Sequence, residues 1–223
     1  MLSLVIPAWN EAARLPATLA AWQALGIVGD IVVADAHSPD HTGALAQRLG
    51  ARMVASPRGR GRQLGMGADA ARGDWLLFLH ADTLPGAGVA EAVARFTADP
   101  ANRERAGYFR LRLDDPRPAA RRIERLAGWR AGILGLPYGD QGLLLARALY
   151  AQVGGYAAIP IMEDVDLARR LGNRRLVRLD AEVVTSAERY QQDGFVRRPM
   201  RNLFCLALYL LGVPPAAIAK IYG

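Results

Sequence analysis

Trp75-Leu76-Leu77-Phe78-Leu79-His80-Ala81-Asp82-Thr83 decides the fold: five apolar residues run into a histidine and a carboxylate with one residue between them. A short apolar run that stops at polar groups reads as a buried strand delivering those groups to the edge of a sheet. Open α/β sheets bind their ligands there, outside the carboxyl ends of the strands. Upstream, residues 2–6, 31–34 and 51–54 repeat the short apolar segment. Between the four lie residues 11–25, 41–49 and 62–71, with apolar side chains at helical spacing. Strict alternation of strand and helix predicts right-handed βαβ units and a mainly parallel sheet.

Downstream the pattern loosens. Residues 87–96 read as a helix, 108–113 as an alternating strand, and 117–134 as a long Arg-studded helix. A strand at 142–145, a helix at 164–171 and two short strands at 176–179 and 183–185 come next. The last segment, 196–222, reads as helix with a break at Pro214-Pro215. The expected organisation is one compact domain over residues 1–195, in two halves at 1–100 and 101–195, and a C-terminal helical segment over 196–223.

Apolar residues make up 52% of the 223-residue chain, which excludes disorder. Residues 1–100 carry 8 Arg against 9 Asp+Glu, whereas 101–223 carry 20 Lys+Arg against 12 Asp+Glu. The second part therefore suits an anionic partner, although 27 of the 28 basic residues being Arg is also what GC-rich coding would produce. The Arg excess lacks a recognisable nucleic-acid module or interleaved aromatics, so no nucleic acid is expected as partner. The single cysteine, Cys205, excludes an internal disulfide and a Cys-based metal site and reads as a packing residue. Residues 2–6 lack a charged region ahead of them, so a cleaved leader is not expected and a cytoplasmic setting is. The longest apolar run, 203–213, is eleven residues, short of the ~20 a spanning helix needs. Flanked by Arg197, Arg198, Arg201 and Lys220, it suits a helix lying on an anionic inner membrane face; packing over the sheet or a homodimer contact explains it equally well.

Several residues can carry chemistry. Pro7-Ala8-Trp9-Asn10-Glu11 follows the first strand and opens a helix that can meet an anion or a nucleotide edge, without the GxGxxG of a dinucleotide turn. Asp35, at the end of the second strand, can accept hydrogen bonds from a ribose or a base; Asp40 reads more simply as a helix cap. In Arg58-Gly59-Arg60-Gly61-Arg62-Gln63, glycines let backbone amides approach an anion that Arg58, Arg60 and Gln63 could contact, as expected for a diphosphate. Asp82 is the candidate metal ligand, since Mg²⁺ takes one or two carboxylates and completes its shell with phosphate and water. His80 can contact ribose or ligate, and imidazole suits Mn²⁺ better. Glu163, Asp164 and Asp166 open a helix, where the macrodipole favours carboxylates and where one can stand as general base beside an acceptor. Asp140 and Gln141, just before an apolar strand, form a polar pair that can meet that acceptor, as can Glu163.

Taken in order, Leu4-Val5-Ile6-Pro7-Ala8-Trp9-Asn10-Glu11, Ile31-Val32-Val33-Ala34-Asp35 with Ser38-Pro39-Asp40-His41-Thr42, the strand ending His80-Ala81-Asp82, Val153-Gly154-Gly155-Tyr156 and Glu163-Asp164 resemble family 2 glycosyltransferases. The resemblance spans nearly the whole chain. It implies an α/β fold of GT-A type with a C-terminal helical tail, a catalytic domain whose residues 1–100 are the nucleotide-binding half and 101–195 the acceptor half, a nucleotide-diphosphate sugar donor, a divalent cation (Mn²⁺ or Mg²⁺) and inversion at the anomeric carbon. It places Pro7, Asn10, Glu11 and Asp35 in the nucleotide site, Asp82 as the metal-binding last residue of the DxD motif, and Asp164 as the catalytic base. His80 departs from the family's usual Asp, and Ala36-His37 replace the usual Asp-Gly or Gly-Gly. The His-Ala-Asp-Thr version, Gly139-Asp140-Gln141 and the Arg-rich C-terminal helix resemble a small bacterial subgroup, whose hydroxyl acceptors could be lipid-linked. The competing classes are a nucleotidyltransferase, which would carry a Gly-rich basic loop after the first strand, and a non-catalytic binding or scaffold protein.

Overall fold

β1 (Leu2–Ala8) is buried at six of its seven residues, the pattern of a strand covered on both faces inside a parallel sheet. In the computed structural model, which describes residues 1–222, it has a parallel neighbour on each side: β2 (Asp30–Asp35) and β4 (Trp75–Phe78). β3 (Arg52–Ala55) extends the sheet beyond β2. Helices α1 (Leu15–Ala24), α2 (Thr42–Arg48) and α3 (Arg60–Ala70) make the crossovers. The chain runs outward from β1 to β3 and returns to β4 on the other side of β1. The loops after β1 and β4 therefore diverge and open a crevice at their carboxyl ends.

The remaining strands are β5 (Thr83–Pro85), β6 (Ala106–Leu113), β7 (Leu143–Ala146) and β8 (Leu176–Thr185). Among the described residues they complete one eight-stranded sheet of order β3-β2-β1-β4-β7-β6-β8-β5. β7 is antiparallel to β4 and β6, β8 is parallel to β6, and β5 is antiparallel to β8. The later helices are α4 (Val89–Ala98), α5 (Pro118–Leu134), α6 (Arg147–Gln152), α7 (Glu163–Leu171), α8 (Glu188–Asp193), α9 (Arg197–Leu210) and α10 (Pro215–Tyr222).

The expected alternation over residues 1–82 is thus present, with differences at the ends. The first helix begins at Leu15 rather than at residue 11, with a proline in its first turn, where a missing N–H costs nothing. The two short strands expected at 176–179 and 183–185 are one strand. Its pairing with β6 slips between Tyr108/Arg178 and Arg110/Glu182, but burial alternates unbroken from Leu179 to Thr185; Asp180 and Glu182, on the outer face, split the apolar pattern in two. The three-residue β5 and the six-residue α6 and α8 are too short to show a period, and sequence reading missed them.

α3 lies close on the sheet because Gly67 faces Val5; a Cβ there would stand 2.5 Å from Val5 Cγ1. The C-terminal helices fold back over the body. Cys205, Leu206 and Ile218 are buried against Val165 and Ala168 of α7 and against Leu136. No helix among the described residues is long and apolar enough to cross a membrane.

Candidate active site

The His80–Asp82 segment is held from two sides. Leu79 N–H makes the last ladder bond to Val5 C=O (3.1 Å), and α1 fastens the residues beyond it. Thr18 Oγ1 donates to Ala81 C=O (2.7 Å) and Trp22 Nε1 to Thr83 C=O (2.9 Å). Thr83 Oγ1 then meets Thr185 Oγ1 at 3.1 Å, and Thr185 Oγ1 donates to Asp140 C=O (3.3 Å). This chain of bonds ties the end of β4 to the 3₁₀ turn Gly139–Gln141. The same turn is tied to α7, because Gly139 N–H donates to Asp164 Oδ2 (3.0 Å), while Asp164 Oδ1 accepts its own helix's Val165 N–H (2.8 Å). The His80 ring packs so tightly on Gly139 that a Cβ there would lie 2.7 Å from Nε2.

Three adjoining cavities result, and Arg60, the first residue of α3, lines all of them. One, of about 130 Å³, lies at the β1/β4 crevice among Pro7, Glu11, Gln63, His80 and Asp82. The second, about 90 Å³, brings Asp82 and His80 together with Asp140 and Asp164. The third, about 330 Å³, is framed by Trp9, Arg58, Glu163, Asp164 and Tyr222. The Arg58 guanidinium stacks 3.7 Å over the Trp9 ring, and Arg60 Nη1 is 3.4 Å from Glu163 Oε1.

The acids are buried beside only a few cations: Arg14 Nη1 stands 3.6 Å from Glu11 Oε2 and Arg60 beside Glu163. Burial raises Glu11, helped by the charge of Asp82, and burial likewise raises Asp82 and Asp140 above their ordinary values. Glu163, almost fully enclosed, is pushed up to about 7 by burial despite Arg60. Burial, with Arg60 and Arg189 nearby, keeps the His80 ring neutral, well below its ordinary 6.5. Glu11 Oε2, Asp82 Oδ1, Asp140 Oδ1 and His80 Nε2 are shut off from solvent without a hydrogen-bond partner, a costly arrangement unless something else binds them. Asp82 and Glu11 therefore offer oxygen donors that fit a hard divalent ion. No group of three or more His, Cys, Asp or Glu among the described residues could hold a metal alone.

The candidates that meet here are Pro7, Glu11, Arg58, Arg60, Gln63, His80, Asp82, Asp140, Glu163 and Asp164. Others do not reach these cavities. Asp35 accepts from Ser38 Oγ (2.5 Å) and Ser38 N–H (3.1 Å), and Asn10 N–H donates to that same Ser38 Oγ (2.9 Å). Both residues brace the loops after β1 and β2. Asp40, read as a cap, accepts from Thr42 and from Ala12 N–H and joins the same brace. Gln63 does line two of the cavities, but its amide N–H donors are on Ala8 C=O (2.7 Å) and Ala34 C=O (3.0 Å), so it fixes the loop ends of β1 and β2 and offers no donor to a diphosphate. Gln141, expected to touch an acceptor, is fully buried. Its Nε2 donates to Phe109 C=O and its Oε1 accepts from Arg130, so it secures the turn and faces away from the acids.

Sequence reading missed Tyr138, Arg189, Asn202 and Tyr222, all on the wall of the acidic cavity. Arg189 is the cation that bears on Glu11, His80 and Asp82 together. Nothing in its own stretch of sequence marks it.

Residues 3–108 match the family model for glycosyl transferase family 2. Among curated proteins no sequence match reaches significance. Solved structures that resemble the chain include mannosyl-3-phosphoglycerate synthase from Rubrobacter xylanophilus, 18% identical with a TM-score of 0.64 over 95% of this chain and 75% of that one. Glucosyl-3-phosphoglycerate synthase from Mycobacterium tuberculosis, in complex with Mn²⁺, UDP and glucosyl-3-phosphoglycerate, is 21% identical with a TM-score of 0.58 over 83% and 70%. A mannosyltransferase from Pyrobaculum calidifontis, in complex with GDP-Man and Mn²⁺, is 18% identical with a TM-score of 0.68 over 99% and 67%. The chain thus has the GT-A fold, and its residues 3–108 carry the sequence signature of glycosyl transferase family 2.

Proposed function

We propose that the protein is an inverting glycosyltransferase, moving a sugar from a nucleotide-diphosphate donor to a hydroxyl acceptor with Asp164 as general base. One observation carries the reading: Asp82, at the end of a central strand, and Asp164, at a distant helix start, line one cavity beside Arg60. The family match over residues 3–108 and the Mn²⁺ and nucleotide ligands of similar structures support it. Glu11, Arg58, Arg60 and His80 face the donor, and Asp140 and Glu163 face the acceptor side. The acceptor oxygen bonds to the anomeric carbon on the face opposite the diphosphate. The bond from that carbon to the diphosphate oxygen breaks, its electron pair leaves with the nucleoside diphosphate, and the acceptor proton passes to Asp164. Arg60 stands where it neutralises departing phosphate charge. A Mg²⁺ or Mn²⁺ ion held by Asp82 would supply further charge neutralisation there.

The test is a thermal-shift panel of UDP, GDP, CDP and dTDP, each with and without Mn²⁺, because a ligand bound only to the folded state raises its stability. One nucleotide is expected to stabilise the chain in a Mn²⁺-dependent way, and Asp82→Ala to remove that dependence. Silence of the wild-type chain toward all four would overturn the proposal.

A further inference from the structure

Beside the acids, a groove of about 280 Å³ opens between α5 and α9. Leu126, Trp129 and Leu134 wall one side, and Met200, Leu203 and Leu206 the other. Its outer rim is exposed: Leu126 stands 60% open to solvent, Trp129 57% and Leu203 66%, with Ile133 and Phe204 also exposed on the same two helices. Its inner end is polar and is shared with the acidic cavity, since Tyr138, Asp140, Tyr190 and Asn202 line both. The groove therefore changes from apolar at the surface to carboxylate at the reaction centre. Such a gradient matches a molecule that is polar at one end and hydrocarbon at the other. A sugar or small hydrophilic acid would leave the apolar walls in water, and exposed apolar patches of this kind mark binding surfaces.

We infer that the acceptor is an amphiphile: its hydroxyl-bearing head lies at Asp140 and Asp164, and its hydrocarbon chain lies between α5 and α9. The inference rests on the glycosyl-transfer reading and adds the acceptor's class to it. The bond that forms is from the head's hydroxyl oxygen to the sugar, so the chain takes no part in the chemistry and contributes only affinity and orientation.

A series of n-alkyl β-glucosides (methyl, hexyl, octyl and decyl), each below its micelle concentration, tests this by calorimetric titration of the full chain. Binding should tighten by up to about four-fold for each methylene that enters the groove, the equivalent of about 0.8 kcal/mol. Leu203→Glu should weaken decyl glucoside at least ten-fold and leave methyl glucoside unchanged. Leu211→Glu, at a residue 82% exposed and off the groove wall, should change neither. Affinity flat with chain length, or indifferent to Leu203→Glu, overturns the inference. So does a dimer that Leu203→Glu dissolves and decyl glucoside cannot displace, which would assign the groove to a second copy of the chain. Nucleotide shifts with Mn²⁺ on the same samples separate the two levels. If a nucleotide binds and the alkyl series does not, only the acceptor class falls; if no nucleotide binds, the transferase reading falls with it.

Discussion

At the residue scale, the acids around Arg60 differ in what holds them. Asp164 is fixed by two backbone N–H groups, from Gly139 and Val165, whereas Asp140 Oδ1 has no partner at all. A positioned carboxylate beside an acceptor is what a general base requires. Asp164→Asn is expected to lower kcat by about 10²–10⁴-fold while leaving the nucleotide-induced thermal shift in place. Asp140→Asn should cost less than that; the reverse order in a steady-state assay would move the base to Asp140. His80 is a second instance of fixed placement. Gly139→Ala puts a methyl 2.7 Å from His80 Nε2, and forcing the ring aside should destabilise the fold by about 1–3 kcal/mol, read by urea unfolding. The neutral state of that ring also fits it as an acceptor or a metal ligand rather than as a cation.

At the scale of elements, glycine decides how closely helices approach. α3 begins against the segment before α7, and a Cβ on Gly61 would lie 2.1 Å from the Ala157 carbonyl oxygen. That contact is with backbone, so it cannot be relieved by a rotamer change. Gly61→Ala should therefore cost several kcal/mol and pull Arg60 away from Glu163, with a lower Tm and weaker nucleotide binding as the readouts. In α5 the logic is opposite. Gly128 and Gly132 sit inside the helix with nothing within 4 Å of an added Cβ. Each change to Ala should raise stability by about 0.4–1 kcal/mol, or roughly 1–4 °C in Tm for a chain of this size. A fall in Tm for either would mean that α5 is not a regular helix at that position.

For the whole molecule, the buried site writes a pH dependence into the fold. Glu163 has an ordinary value of 4.5 and is pushed up to about 7 by burial, so the folded chain holds a proton that the unfolded chain has released. Its contribution to stability is full below 4.5 and is lost as pH rises through about 7. The size is on the order of 3 kcal/mol, undiminished by solvent because Glu163 is only 2% exposed. His80 acts in the other direction: its contribution is present above 6.5 and is lost as pH falls toward its depressed value. Glu163→Gln, neutral at every pH, should make the decline from pH 5 to pH 8 in urea-unfolding free energy shallower, leaving what the raised Glu11, Asp82 and Asp140 contribute. An unchanged slope would mean that Glu163 does not carry the decline. The C-terminal helices belong to the same stability unit. Ile218 is fully buried in the cluster with Val165 and Leu206, and Ile218→Ala should cost about 2–5 kcal/mol while loosening the cavity wall that Tyr222 and Asn202 form.

The sequence by itself determined the βαβ half of the protein, because burial on both faces of β1, β2 and β4 writes a near-continuous apolar run into each, broken in β1 only by Ser3. It also marked by local means Asp82, an acid where an apolar run ends, and the cluster Glu163, Asp164 and Asp166 where a helix begins; the choice of Asp164 within that cluster came from the resemblance to family 2 glycosyltransferases. Local pattern could not tell a polar residue that faces a cavity from one that braces the chain. Gln141 and Gln63 read as ligand contacts, and only their bonds to Phe109, Ala8 and Ala34 carbonyls show otherwise. Nor could it find Arg189, Tyr138, Asn202 and Tyr222, whose own surroundings in sequence are those of ordinary amphipathic helices and turns. Arg189, Asn202 and Tyr222 come to the site through α8, α9 and α10 folding back, which the burial of Leu206 and Ile218 against α7 brings about, and Tyr138 through the turn at Gly139–Gln141. That packing joins residues distant in sequence through apolar contact, so the tertiary structure alone decided where the acidic cavity ends and the apolar groove begins.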